Sequence, residues 1–86
     1  MAAQARQAFQ NLETAILVVG ATVADVVKLH IYVKDYKPTD AALISKALRK
    51  HFPQRDLPAS TWLGVQSLAE EGFLIEVEAI VVVEQP

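Results

Sequence analysis

The spacing of apolar residues along this chain alternates between two periods, and each switch predicts a new element. Ala5, Ala8, Phe9, Leu12, Ile16 and Val19 recur with the 3.6-residue period of an amphipathic helix. Gly20 follows the last of them, where a left-handed cap ends a helix. Thr22-Val23-Ala24-Asp25 reads as a short capped turn. From Val26 the period becomes two: Val27, Leu29, Ile31 and Val33 form an apolar face, and Lys28, His30, Tyr32 and Lys34 a mixed one.

Asp35 to Asp40 is a loop, with Thr39 or Asp40 as N-cap of a second helix. That helix carries Leu43, Ile44, Ala47, Leu48, His51 and Phe52 at helical spacing and stops before Pro53. Gln54 to Leu57 connects it to strands predicted over 59–66 and 73–84, joined by a short polar turn. The second of these strands has Phe73, Ile75, Val77, Ala79, Val81 and Val83 on one face, with Glu76 and Glu78 on the other. The order helix, strand, helix, strand, strand predicts a parallel crossover through the second helix. All apolar strand faces are then expected against the two helices. Trp62, Gly64, Glu76 and Glu78 are assigned to the opposite, uncovered face.

Length and composition sharpen this picture. A chain of 86 residues makes one domain, 1–86, and 52% of its residues are hydrophobic, more than so small an interior hides. A subunit interface is therefore expected. There is no cysteine, hence neither a disulfide nor a thiolate metal site. His30 and His51 have no third ligand at a metal-binding spacing. The longest apolar run, Ala79 to Val83, is too short to span a bilayer, and no secretory signal is evident. A cytoplasmic protein is expected. A net charge of −2 offers no long-range attraction for nucleic acid.

Several segments together carry a family resemblance. They are Gln4-Ala5-Arg6-Gln7-Ala8-Phe9-Gln10-Asn11-Leu12, Gly20-Ala21-Thr22, Asp25-Val26-Val27-Lys28, Pro58-Ala59, Gly64-Val65, Leu68-Ala69 and Glu76-Val77-Glu78-Ala79. In this order and spacing the chain resembles the Rid family, also called the YjgF or endoribonuclease L-PSP family, and is RidA-like over nearly its whole length. The resemblance implies an α+β, chorismate-mutase-like sheet packed against two helices, and a homotrimer with ligand clefts between subunits. It also implies hydrolysis of enamines or imines, of the aminomuconate or imino-acid type, without a cofactor. Some members carry a ribonuclease label.

Two departures stand out. Members begin with strands ahead of the first helix, and this chain starts at that helix, so the usual N-terminal strands are lacking and a sheet edge is left unpaired. Active imine deaminases carry an arginine in a Pro-Ala-Arg-Ser motif, and Ser60 stands there in Pro58-Ala59-Ser60-Thr61. A guanidinium fork holds a carboxylate through two charge-assisted bonds, whereas a hydroxyl supplies one neutral donor.

Glu76 matches the first acid of the family's Glu-x-Glu-Ala pattern and is the candidate catalytic base, holding a water and accepting its proton. Its competing reading is an interface acid paired with a lysine of another subunit. Ser60, Trp62, Tyr32 and Glu78 are candidate ligand contacts, Trp62 as an aromatic cleft wall with one donor. No base at a suggestive spacing supports Ser60 as a nucleophile. Lys46, Arg49 and Lys50, with Arg55, form a basic helix face, read as solvated because aromatic stacking partners are absent. Two functional readings stay open: an oligomer that binds and hydrolyses a small carboxylate or carbonyl metabolite, and a catalytically silent binding or scaffold protein. RNA binding through the basic face is a weaker third.

Overall fold

A computed structural model describes residues 1–53, 55 and 57–84, so Gln54 and Asp56 of the expected connector lie outside the described residues. Helix α1 spans Ala2–Val18, with Ala5, Phe9 and Ile16 buried along one stripe. Its end follows from Gly20, which adopts a left-handed φ of 82°. The Gly20 N–H donates to the Leu17 carbonyl at 3.0 Å, and the Ala21 N–H to that of Ile16 at 3.1 Å. This pair of backward bonds satisfies carbonyls that the helix leaves free, and it delivers Ala21 into the core beside Ile16. A single 3₁₀ turn, Val23–Asp25, follows, and the Asp25 carboxylate accepts the Thr22 N–H at 2.9 Å.

Strand β1 (Val26–Lys34) departs from the expected alternation at its start. A bulge between Val26 and Lys28 buries Val26 and leaves Val27 47% exposed. One extra residue in a ladder reverses the phase of what precedes it. From Leu29 onward the period of two holds. Asp35 then turns the chain at φ 48°, a conformation aspartate tolerates better than most residues.

Helix α2 (Pro38–His51) is capped by Lys37 rather than by Thr39 or Asp40, because Pro38 takes the first helical position. Asp40 instead reaches back, its carboxylate accepting the Lys37 N–H at 3.1 Å. Ile44, Ala47 and Leu48 are buried, whereas Leu43 is partly exposed at the flank of the stripe. Phe52, just past the helix, meets Phe9 edge-on with ring centroids 6.3 Å apart.

Strands β2 (Ala59–Val65) and β3 (Ile75–Val81) are shorter than expected. Phe73 and Val83 lie outside β3 and are exposed. Nor do β2 and β3 pair with one another across their polar connection: the sheet order is β2-β1-β3. β1 runs parallel to β2, as the crossover through α2 requires, and antiparallel to β3. Leu29, Ile31 and Val33 of this central strand have no exposed surface and meet Phe9, Ile44 and Phe52 in one core. Tyr36 crosses over Gly64, where an added Cβ would stand 3.1 Å from the Tyr36 Cβ.

Replacing Gly20 with alanine tests the helix end cleanly, since the new methyl meets nothing within 4 Å. The left-handed conformation alone should then cost about 1–2 kcal/mol. Phe9→Ala, which empties the centre of the core, should cost about 3–5 kcal/mol. Urea unfolding at one fixed protein concentration reads both, and an unchanged midpoint for Gly20→Ala would remove the cap from this account.

Candidate functional site

Residues opposite one another on neighbouring strands share a face of the sheet. Tyr32 lies between Leu63 of β2 and Glu76 of β3, and His30 between Thr61 and Glu78. These six side chains turn away from the buried face. Leu29, Ile31 and Val33 lie between Ser60 and Ala79, Trp62 and Val77, and Gly64 and Ile75 respectively, on the helix-facing side. The expectation that Trp62 and Gly64 share the open face with the glutamates is thereby corrected. Ser60 and Trp62 look toward the helices, and Trp62 packs against the core. Its indole N–H donates to Ser60 Oγ at 3.2 Å, so that hydroxyl already has an intramolecular partner. The five candidate residues fall into two groups on opposite faces: Ser60 and Trp62 on the β2 edge, and Tyr32 of the central strand with Glu76 and Glu78 of the β3 edge.

Glu76, Glu78 and Tyr32 remain together on the open face. The Tyr32 hydroxyl donates to Glu78 Oε1 at 3.0 Å. That hydrogen bond, with desolvation and the negative charges of Glu78 and Glu76, holds the phenol above its ordinary pKa of 10.0. His30, on the same mixed face of β1 as the sequence pattern places it, joins the group. Its ring stacks on that of Tyr32 with centroids 6.3 Å apart. Its Nδ1, shielded from water, stands 3.1 Å from Glu78 Oε1 but lacks hydrogen-bond alignment, so the contact becomes an ion pair only with a protonated imidazole. Lys28 on the same strand donates to Thr61 Oγ1 at 2.6 Å. No cluster of three or more His, Cys, Asp or Glu arranged for a metal occurs among the described residues.

Glu76 also borders a groove of about 780 Å³ between α1 and the outer edge of β3. Such a volume suits a small-molecule site. Its polar lining comprises Gln4, Gln7, Asn11, Glu70 and Glu76, and its apolar wall includes Phe73 and Val77. Glu76 Oε1 faces the Ala69 N–H at 3.5 Å, at the outer limit of a hydrogen bond. Gln4 clamps the approach to β3: its Nε2 donates to the Gly72 carbonyl at 2.9 Å, and its Oε1 accepts the Leu74 N–H at 2.8 Å. Gln7 donates to Asn11 Oδ1 at 2.7 Å. These amides belong to the first family-like segment but are not among the candidate contacts read from the sequence, although Gln4, Gln7 and Asn11 at i, i+3 and i+7 form a polar stripe on one helix face.

Comparison with known proteins agrees with this architecture. The sequence profile of the family Endoribonuclease L-PSP matches residues 1–83. A 2-iminobutanoate/2-iminopropanoate deaminase of Dermatophagoides farinae is 33% identical over 81 residues, covering 94% of this chain and 60% of the relative. The crystal structure of the Rid protein YyfB from Yersinia pestis superposes with a TM-score of 0.92 at 36% identity, over 96% of this chain and 62% of that one. The structure of TdcF from E. coli with bound serine has a TM-score of 0.82 at 26% identity, over 93% and 62% respectively. This chain thus spans about three fifths of the length of these relatives. With two helices on a mixed sheet and a profile match across almost all its residues, the chain belongs to the Endoribonuclease L-PSP, or Rid, family.

Proposed function

We propose that this chain acts as a homotrimer that takes a small carboxylate or carbonyl metabolite between subunits and hydrolyses a carbon–nitrogen double bond there. The observation that carries the reading is Glu76, a half-buried carboxylate on the rim of the large groove and beside Tyr32. Support at the level of the family comes from the relative named as an imino-acid deaminase. In this reading Glu76 accepts a proton from water as the oxygen attacks the imine carbon, and returns it to the nitrogen to give a carbinolamine. Transfer of the hydroxyl proton through the same carboxylate to the amine then breaks the carbon–nitrogen bond, releasing ammonia and leaving the carbonyl compound. Tyr32, kept protonated at neutral pH, donates to Glu78 and so holds that second carboxylate on the same face as Glu76.

Association of copies belongs to the same proposal. Ser60 and Trp62 cannot reach Glu76 within one protomer, because β1 separates their strands and the faces are opposite. A site using both groups takes one from each of two neighbouring copies. Leu63 and Ile80, 45% and 52% exposed on the open face, supply apolar area for contact. A second reading, a silent binding protein, draws on Ser60: it replaces an arginine fork by a hydroxyl that already accepts the Trp62 N–H.

An imino acid generated in situ, with ammonia release followed in time, separates the readings. The hydrolytic reading expects acceleration by the native chain and a loss of about 10²–10⁴-fold in Glu76→Ala. Unchanged turnover and ligand binding in that variant would remove Glu76 from the mechanism. Activity confined to Ser60→Arg would favour the silent reading of the native chain. Sedimentation should give a trimer, and Leu63→Asp should dissociate it; a monomeric native chain would overturn the shared-site reading.

The Tyr32 phenol offers a pH test. Its folded-state pKa is raised, so the protonated form is favoured on folding, and this contribution is complete below about 10 and is lost as the pH rises through the folded value. In a Tyr36→Phe background the phenolate absorbance should therefore appear above pH 10.0, and Glu78→Ala should bring the midpoint down. A midpoint indifferent to Glu78 would contradict the hydrogen bond described above.

A further inference from the structure

A second cavity, with no lining residue in common with the groove, opens between the start of α1 and α2. Its volume is about 270 Å³, and its lining is Ala2, Arg6, Leu43, Lys46, Ala47 and Lys50. The composition follows from helix geometry. Leu43, Lys46, Ala47 and Lys50 stand at i, i+3, i+4 and i+7 on one face of α2, and Ala2 and Arg6 at i and i+4 on α1. Small side chains at Ala2 and Ala47 leave a hollow where the helices meet. Leu43 forms an apolar wall, and three cations surround the opening.

The charges in this hollow are unbalanced. No carboxylate lines it, in a chain whose net charge is −2. Among the described residues the one side-chain contact within ion-pair distance is His30 with Glu78, on the far side of the sheet. Lys46 and Lys50, one turn apart, repel one another. A favourable interaction with the helix dipole accounts for Lys50, in the last turn of α2 with Arg49 and His51. It does not account for Lys46 in the middle of α2, nor for Arg6 on α1. Convergence of both on the same hollow is the feature that a merely solvated helix face leaves unexplained.

We infer that this cavity binds a small multiply charged anion of the phosphomonoester class, with a short apolar portion against Leu43 and Ala47. The Arg6 guanidinium provides a planar fork for two phosphate oxygens, and the two lysines act as point charges from the other helix. A cavity of about 270 Å³ has room for a phosphate carrying a short carbon chain. The inference does not rest on the imine-hydrolase reading, since no residue of this cavity lines the Glu76 groove.

An amide NMR titration of the 86-residue chain at low ionic strength tests it, with glycerol 3-phosphate, inorganic phosphate and glycerol as probes. Saturable shifts are expected at Arg6, Leu43, Lys46 and Ala47 with both phosphates, and none with glycerol. The double variant Lys46→Gln/Lys50→Gln should bind glycerol 3-phosphate about tenfold or more weakly, as two charge-assisted contacts are lost. Its amide spectrum away from the cavity should overlay that of the native chain, which shows that the fold survives. Shifts that are no larger here than around Lys34 and Lys37, or that persist in the double variant, would overturn the proposal. So would a uridine oligonucleotide that bound more tightly than glycerol 3-phosphate and shifted Arg49 and Arg55 as well, which would make the basic face a nucleic-acid surface.

Discussion

Strand β1 is the member on which the rest of this protein depends. Its inward residues Leu29, Ile31 and Val33 have no exposed surface, and both other strands take their register from it. An interior strand satisfies its backbone groups on two sides, in parallel toward β2 and antiparallel toward β3. The helices close over its buried face, with Phe9 from α1 and Ile44 from α2 completing one core. Everything that the sheet presents outward therefore has its position set by a single apolar strip.

The consequence is a protein with two chemically unlike surfaces. The open face brings His30, Tyr32, Glu76 and Glu78 together by pairing three strands, so their contacts are cross-strand contacts. Glu78 is shared between a phenol donor at 3.0 Å and an imidazole nitrogen at 3.1 Å, and it is more exposed than Glu76. Ser60 and Trp62 instead occupy the helix-facing side at the other edge, where Trp62 adds to the core and uses the serine hydroxyl as its acceptor. The Ser60 hydroxyl thus serves a local structural contact here.

Between α1 and the outer edge of β3 lies the large groove, and its polarity is mostly that of amides. Gln4 holds the approach to β3 through two bonds to backbone groups, and Gln7 and Asn11 hold one another. Glu70 and Glu76 are the acids on that lining. Carboxylates in such a setting accept hydrogen bonds from a ligand's donors or from a water to be activated. The basic cavity at the start of α1 is lined instead by Arg6, Lys46 and Lys50, with no carboxylate among its lining residues.

Much of this architecture was legible in the linear chain, and the failures share one cause. The switch from a 3.6-residue to a two-residue period located both helices and the central strand, and Gly20 marked the end of α1, because these are local properties of backbone geometry. The alternation of Glu76 and Glu78 against Ile75, Val77 and Ala79 was equally local. The face on which Trp62 and Ser60 lie was not, since each strand's alternation leaves its phase relative to the others undefined. Pairing of Ile31 with Trp62 and Val77 decided it, through hydrogen bonds between segments distant in sequence. The bulge that turned Val27 outward, the placement of β1 between β2 and β3, and the meeting of Arg6 with Lys46 and Lys50 have the same origin. The sequence by itself determined which segments are helices and strands and which of their sides are apolar. Only the tertiary structure decided which polar side chains meet, because that depends on register and crossover, which no short window of sequence contains.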